Sequence, residues 1–360
     1  MVDNTQRVAR ARELSSVGKM DAAAALYRSI LSQQPKNLDA AKGLSNLVET
    51  GAVVGDASET RKAVIEIETE GAYSVAKMAQ TQGRFDVAIR CYKKILNIAP
   101  EHGDAVWGLA EAYYGNKNLD EALHWYRRYA EIYPKDPESE HMVAALGEGP
   151  KPLRASDAYV RETFDHFAED FDQQLLEDLE YKAPELIYGL FKRLPLATSD
   201  DLHILDAGCG TGLSGIDFKS HSAILTGIDL SPEMLKYAKD RNIYDELLES
   251  EVANFMRDHP NNFDIIIAVD VFCYIGDLSE TLKAAEISLT PGGYLIFSVE
   301  AQSKRGYSLT GSGRYAHKPA YVRKTAYSAG LQEKLSLFDT LRTEYGASVN
   351  GYLTALQKPA

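Results

Sequence analysis

The chain is 360 residues long, 45% hydrophobic and 25% charged, the make-up of a folded polypeptide with room for two cores. Residues 1–150 hold 18 basic and 21 acidic side chains, so most of the net charge of -13 falls on the remainder, where 21 basic against 31 acidic leave -10. A field of that sign repels phosphate backbones and no local basic patch offsets it, which excludes nucleic acid as a partner.

The opening MVDNTQRVARARELSS lacks the apolar centre of a secretory signal, and no later run reaches the roughly 18 apolar residues of a membrane span. No membrane association and a cytoplasmic location are expected. Cys91, Cys209 and Cys273 stand far apart without metal-ligand spacing, so no disulfide framework and no metal site is expected.

The N-terminal third repeats itself. GKMDAAAALYRSILSQQPKNLDA aligns with GRFDVAIRCYKKILNIAPEHGDA at one offset of 65, pairing Gly18 with Gly83, Ala23 with Ala88, Tyr27 with Tyr92 and Pro35 with Pro100. A further copy follows at an offset of 34: Ala122, Tyr126, Pro134. Since 65 is nearly twice 34, a degenerate copy is expected over about 38–68. The period and its small, aromatic and proline positions resemble the tetratricopeptide repeat, a helix-turn-helix unit, well over 69–136, fairly over 4–37 and poorly between. The alanines let paired helices approach, the tyrosines fill the groove, and the prolines close the second helix. Such solenoids present a surface to a protein partner or to a second copy, or serve as a buttress; all three remain open here. GEGPKPLRAS, 147–156, reads as a linker.

VRETFDHFAEDFDQQLLEDLEY follows, with Val160, Phe164, Phe167, Phe171, Leu175 and Leu179 on one helical stripe and an acidic opposite face. From there apolar runs alternate with helical stretches: HILDAG, AILTGIDL, FDIIIAVDVF, GGYLIFSVE. That spacing predicts a parallel sheet with helices on both faces and a ligand at the carboxyl ends of its strands. LDAGCGTGLSG sits at one such end. Gly210, Gly212 and Gly215 satisfy the dinucleotide fingerprint, with Asp229 near the place of a ribose-binding acid. Asp206 decides against it. A carboxylate beside a pyrophosphate costs Coulomb energy, whereas beside an α-ammonium it is attractive, so the loop suits a cofactor with an amino-acid tail.

With GIDLSPEML, FDIIIAVDVFCYI and LTPGGYLIFSVE, this stretch resembles the class I S-adenosylmethionine-dependent methyltransferases over roughly 158–358. The whole arrangement is similar to a bacterial family of repeat-containing methyltransferases. The resemblance implies an α/β Rossmann-like domain with a mostly parallel seven-stranded sheet, and S-adenosylmethionine as cofactor. It assigns Asp206, Gly208, Gly210 and Gly212 to the methionyl part and Asp229 to the ribose hydroxyls. Leu230 and Met234 would pack on the adenine, Glu251 and Val252 would meet its amino edge, and Asp270 would stand beside the sulfonium or the acceptor. Phe171 would face the sulfonium from a lid helix, in place of a tyrosine common in relatives. YKAP, 181–184, resembles a turn of the family and would offer Lys182 to the cofactor carboxylate. Against these roles stand plainer ones: Leu230 and Met234 as core, the stripe as packing, Lys182 as a surface lysine.

After the fifth strand comes RGYSLTGSGRYAHKPAYV, 305–322. In the repeat-containing family a similar stretch stands here, and it makes His317 the candidate general base, Arg314 a group to orient an anionic acceptor, and Tyr315 and Tyr274 pocket walls. His317 as a structural residue is the alternative. SLFDTLRTEYGASVNGYLTALQK closes the chain as two extended runs, matching the antiparallel hairpin of this fold. The expectation is therefore an all-α tetratricopeptide solenoid, 1–146, the linker 147–156, and a methyltransferase domain, 157–360. It would methylate the hydroxyl of a small molecule. Two alternatives stand beside it: a protein or N-methyltransferase whose repeats recruit the substrate, and a non-catalytic scaffold.

Overall fold

The computed structural model describes residues 4–147, 150–169, 171–173, 181–344 and 347–360. Leu175 and Leu179 of the apolar stripe, and residues 148–149 of the linker, lie outside the described residues. The chain divides into two compact units, Met1–Tyr133 and Pro134–Ala360.

The first unit is helical: α1 (Asn4–Ser16), α2 (Met20–Gln33), α3 (Leu38–Glu49), α4 (Ala57–Thr81), α5 (Phe85–Ile98), α6 (Gly103–Gly115) and α7 (Leu119–Ile132). Sequence neighbours pair, α1 with α2 and so on. The repeat residues do what their types allow. Ala23, Ala88 and Ala122 are fully buried, as are Tyr92 and, within 2%, Tyr27 and Tyr126. Tyr92 needs a bare neighbour: a Cβ on Gly108 would lie 2.4 Å from its ring, and Tyr27 makes the same demand of Gly43. The degenerate copy appears as α3 plus the first part of α4, which runs 25 residues without a turn. No proline occurs between Pro35 and Pro100, so nothing in that interval ends a helix as Pro35 does for α2.

The second unit opens with α8 (Pro137–Leu146), α9 (Asp157–Phe167), α10 (Phe171–Gln173) and α11 (Ala183–Phe191). Then β1 (Leu202–Ala207), α12 (Gly215–Phe218), β2 (Ser222–Asp229), α13 (Pro232–Asp240), β3 (Glu246–Glu249), α14 (Val252–Asp258), β4 (Phe263–Ala268), α15 (Ser279–Ser288) and β5 (Leu289–Ala301) alternate as expected. The remainder is β6 (Tyr307–Leu309), β7 (Tyr315–His317), α16 (Pro319–Ala329), β8 (Gln332–Glu344) and β9 (Ala347–Gln357). Strands β3-β2-β1-β4-β5 are parallel, and β9 then β8 continue the sheet antiparallel. These are the seven strands that the resemblance implies. The insertion adds β6 and β7 as a short ribbon. Glu300 of β5 pairs with Gly351 of β9 and with Ala316 of β7, so the ribbon lies on the edge that β4 occupies lower down, beyond the carboxyl end of β4.

Two apolar layers bury the sheet. Leu205, Ile266, Leu295 and Phe297 pack with α14, α15 and α16 on one face; Ile204, Ile265 and Ile296 pack with α11 and Phe218 on the other. The helix α8, expected within the solenoid, belongs to this unit. His141 stacks on Tyr159 of α9 at 4.0 Å between centroids, and its Nε2 meets the Gly313 carbonyl at 2.8 Å. No helix among the described residues is long and apolar enough to cross a membrane.

Candidate functional site

A cavity of about 240 Å³ opens at the carboxyl ends of β1, β2 and β4. Its floor is made by the turns that leave these strands. Gly208 and Gly210 take left-handed backbone at φ +78° and +54°, and a Cβ on Gly208 would lie 2.4 Å from the Val271 side chain, so main chain approaches here as only glycine permits. The Gly208 and Cys209 amides donate to the Ile228 carbonyl at 2.8 and 2.9 Å, tying the loop to β2.

Asp229 ends β2 and faces the cavity. Its Oδ2 accepts from the Gly210 amide and its Oδ1 from the Ser231 amide, both at 2.9 Å. Burial raises its carboxyl above the usual range while those amides pull it back. Two backbone bonds hold the group in one orientation and leave lone pairs for hydroxyl donors. Asp206, one residue before the end of β1, is 1% exposed and is not among the residues that line the cavity; Tyr244 donates to its Oδ2 at 2.8 Å, and among the described residues Oδ1 has no partner. Burial pushes its carboxyl up to about 7, with Tyr244 lowering it and Asp229 raising it.

The roof comes from α9 and α10. On α9, Arg161 reaches the Leu230 carbonyl at 3.1 Å and Glu249 at 2.6 Å, while Asp165 accepts from the Ser231 hydroxyl. The apolar stripe does not continue as one helix. It breaks after Phe167, and Asp172 of α10 takes the Thr211 hydroxyl and the Arg241 guanidinium. Those contacts outweigh the helical pattern and bring Phe171 against Gly210.

At the far end lies a buried ionic cluster. Arg342 of β8, 3% exposed, meets Asp270 Oδ2 and Glu344 Oε1 at 2.7 Å each and also Glu300. Arg314 joins Glu344 at 2.6 Å. Burial raises both Glu300 and Glu344, but for Glu344 the two guanidiniums win and its carboxyl ends below the usual range, whereas Glu300 stays above it. Arg314, Arg342, Asp270, Tyr274 and Tyr181 all line the cavity, as do Phe164, edge to face with Tyr274 at 5.5 Å, and Phe167.

Of the residues singled out from the sequence, Phe171, Gly208, Gly210, Asp229, Leu230, Val252, Asp270, Tyr274 and Arg314 share this cavity. Others lie elsewhere. Gly212 backs onto Tyr244 and Arg241. Met234 is fully buried core, its amide capped by Ser231. Glu251 caps α14 by accepting from the Asn254 amide at 2.8 Å. Tyr315 is buried and donates to the Pro152 carbonyl at 2.8 Å. His317, expected at the pocket mouth, is fully buried in β7 with Nε2 3.0 Å from the Gly276 carbonyl, and burial lowers it to about 4. It forms no part of the cavity wall. Lys182 is exposed. Arg342, Glu344 and Tyr244 were not singled out; Arg342 falls on the alternate parity to Leu335, Leu337 and Leu341, and the register shift between Thr340 and Arg342 is not visible in the sequence.

Residues 205–297 match the family described as a methyltransferase domain, and residues 76–137 match the tetratricopeptide repeat. A ubiquinone biosynthesis O-methyltransferase of Thiobacillus denitrificans is 29% identical over 196 residues, 47% of this chain and 82% of that protein. One of the same description from Coxiella burnetii is 27% identical over 148 residues, 36% of this chain and 63% of its own length, just under two thirds. A solved 1,6-didemethyltoxoflavin N1-methyltransferase of Burkholderia thailandensis, with S-adenosylhomocysteine bound, is 16% identical at a TM-score of 0.47, covering 59% of this chain and 94% of that one.

Proposed function

We propose that this chain, an S-adenosylmethionine-dependent methyltransferase carrying N-terminal tetratricopeptide repeats, methylates a hydroxyl oxygen on a small, flat, weakly acidic acceptor. The observation that carries the reading is the cavity itself, which joins the bare glycine turn and Asp229 at one end to aromatic walls and a guanidinium, Arg314, at the other. The residues fit the cofactor: Asp206 Oδ1 is a buried acceptor without a donor among the described residues, Asp229 has capacity for two hydroxyls, and Leu230 and Val252 offer apolar surface.

Bound S-adenosylmethionine supplies a methyl group activated for in-line displacement. The protein then has to align the acceptor and manage its proton. Phe164 and Tyr274, packed edge to face, offer a planar ring an aromatic surface. Asp270, at φ +57° with its Oδ2 on Arg342 and its Oδ1 only 3.2 Å from the Ser298 hydroxyl, is the carboxylate placed to take the hydroxyl proton at Oδ1. Arg314 stabilises the charge left on the oxygen. His317 takes no part. The roofed cavity favours a small acceptor over a polypeptide, and the repeats serve a separate contact with a protein partner or a second copy. The relatives described as O-methyltransferases support oxygen over nitrogen.

Calorimetric titration with S-adenosylmethionine and NADH, followed by a mass-read panel of phenols, alcohols and amines, tests this. Binding of the former alone and methylation of phenols are expected. Binding of NADH, or methylation confined to amines, overturns the reading.

A further inference from the structure

Tyr244 enters the site from behind. It lies between α13 and β3, and its path to Asp206 is cleared by three glycines: a Cβ on Gly212 or Gly227 would lie 2.9 Å from its ring, and one on Gly215 would lie 2.4 Å from its hydroxyl. Two of these three belong to the glycine fingerprint, so part of a motif that reads as ligand-facing in fact makes room for a tyrosine. The hydroxyl ends 2.8 Å from Asp206 Oδ2, and Oδ1 is buried without a partner among the described residues.

We propose that Tyr244 is a positioning residue for the cofactor: its hydroxyl fixes the Asp206 carboxylate with one oxygen engaged and the other left for the α-ammonium of the cofactor's amino-acid tail. The proposal rests on the methyltransferase reading above. A free rotor would turn either oxygen toward either neighbour; a tyrosine wedged among glycines cannot follow it, so the bond selects one orientation. Among the described residues the ionisable groups coupled to Asp206 are Tyr244, Tyr181, Cys209 and Asp229, each an acid. No cation is among them, and burial with Asp229 nearby favours the protonated form of the carboxyl, against which the Tyr244 bond works. Loss of the hydroxyl therefore moves Asp206 protonation to higher pH, and a neutral Asp206 attracts no ammonium.

The test is calorimetry on the full chain, wild type and Tyr244→Phe, from pH 6 to 8.5, with two probes: S-adenosylhomocysteine, which has the amino-acid tail, and 5′-methylthioadenosine, which lacks it. The expected result is S-adenosylhomocysteine affinity lower by about tenfold or more at pH 7, as for a lost bond to a charged group, with its acid-side decline moved to higher pH and methylthioadenosine affinity unchanged. Equal weakening of both probes would reveal a packing role and overturn the proposal, as would an unchanged pH profile. Asp206→Asn gives an independent reading: the preference for the tailed probe and the acid-side decline should both vanish, and their persistence overturns the proposal even if Tyr244→Phe fails to fold. A wild-type chain that binds neither probe overturns the methyltransferase reading itself; one that binds both while Tyr244→Phe behaves identically overturns only the positioning role.

Discussion

Arg342 Nη1 lies 2.7 Å from Asp270 Oδ2, so the penultimate strand is bonded to the residue just past the end of β4. Asp270 is one of five non-glycine residues at positive φ among those described, a backbone state that short polar side chains tolerate and that functional sites exploit. The guanidinium that holds it also holds Glu300 and Glu344. The terminal hairpin thereby acts on the site as well as on the sheet edge.

Replacing Arg342 by Met removes the guanidinium that Asp270, Glu300 and Glu344 share, leaving Arg314 to the two glutamates. A loss of about 3–5 kcal/mol is expected, as for a broken buried ion pair, measured by urea unfolding. The double variant R342M/E300Q should recover part of it. A loss under about 1 kcal/mol would show that the cluster is solvated.

Arg314→Met should leave S-adenosylhomocysteine affinity within about twofold while lowering kcat/KM for a phenolic acceptor by about a hundredfold, the scale of one removed charge-stabilising donor. Steady-state kinetics beside calorimetry separate the two. An equal fall in cofactor affinity would put Arg314 in the wrong half of the cavity.

His317 should prove structural. His317→Gln is expected to keep the transfer rate within about threefold, where loss of a general base would cost about a hundredfold or more. Its lowered pKa also has a sign: folding favours the neutral ring, so the contribution is complete above the unfolded value near 6.5 and is lost as pH falls from there toward about 4. Unfolding at stepped pH should show wild type losing stability below pH ~6.5 more steeply than His317→Gln, by up to about 1.4 kcal/mol per pH unit.

The fragment 134–360 should fold and bind S-adenosylhomocysteine, whereas 150–360 should unfold at a clearly lower temperature. The second lacks α8, and with it the stack of His141 on Tyr159 and the bond to the Gly313 carbonyl. Equal thermal unfolding of the two fragments would return α8 to the repeats.

Gly108→Ala places a methyl 2.4 Å from the Tyr92 ring. A loss of about 1–3 kcal/mol, the usual cost of overpacking, is expected in the unfolding of the repeats, with S-adenosylhomocysteine affinity unaltered.

Much of this architecture is legible because it is written in period and spacing. Tyr27, Tyr92 and Tyr126 announce the repeats, and the alternation from HILDAG to GGYLIFSVE announces the parallel sheet. Asp229 and the Gly208–Gly210 turn could be placed because strand ends and left-handed glycines are local features. Partnerships across the fold are not local. Arg342 and Asp270 are joined over 72 residues, and no pattern near either one names the other. Gly212 misleads for the same reason: the sequence shows a missing side chain and not whether a ligand or Tyr244 fills the gap. His317 carries the right chemistry at the right distance along the chain, yet the ribbon β6-β7 turns it into the core. The break after Phe167 likewise depends on Asp172 finding Thr211 and Arg241, residues far along the chain.

The unbroken α4 changes how the solenoid behaves as a material. At 25 residues it is a rod of about 37 Å, and it belongs at one end to the degenerate repeat and at the other to the well-formed repeat that follows. A joint between ordinary repeats can open while its neighbours stay shut; here that joint is replaced by continuous backbone hydrogen bonds. Melting should therefore not creep inward from the N-terminus one repeat at a time. The two repeats that share the rod must come apart together, which gives this short array the sharp, single transition of a globular domain.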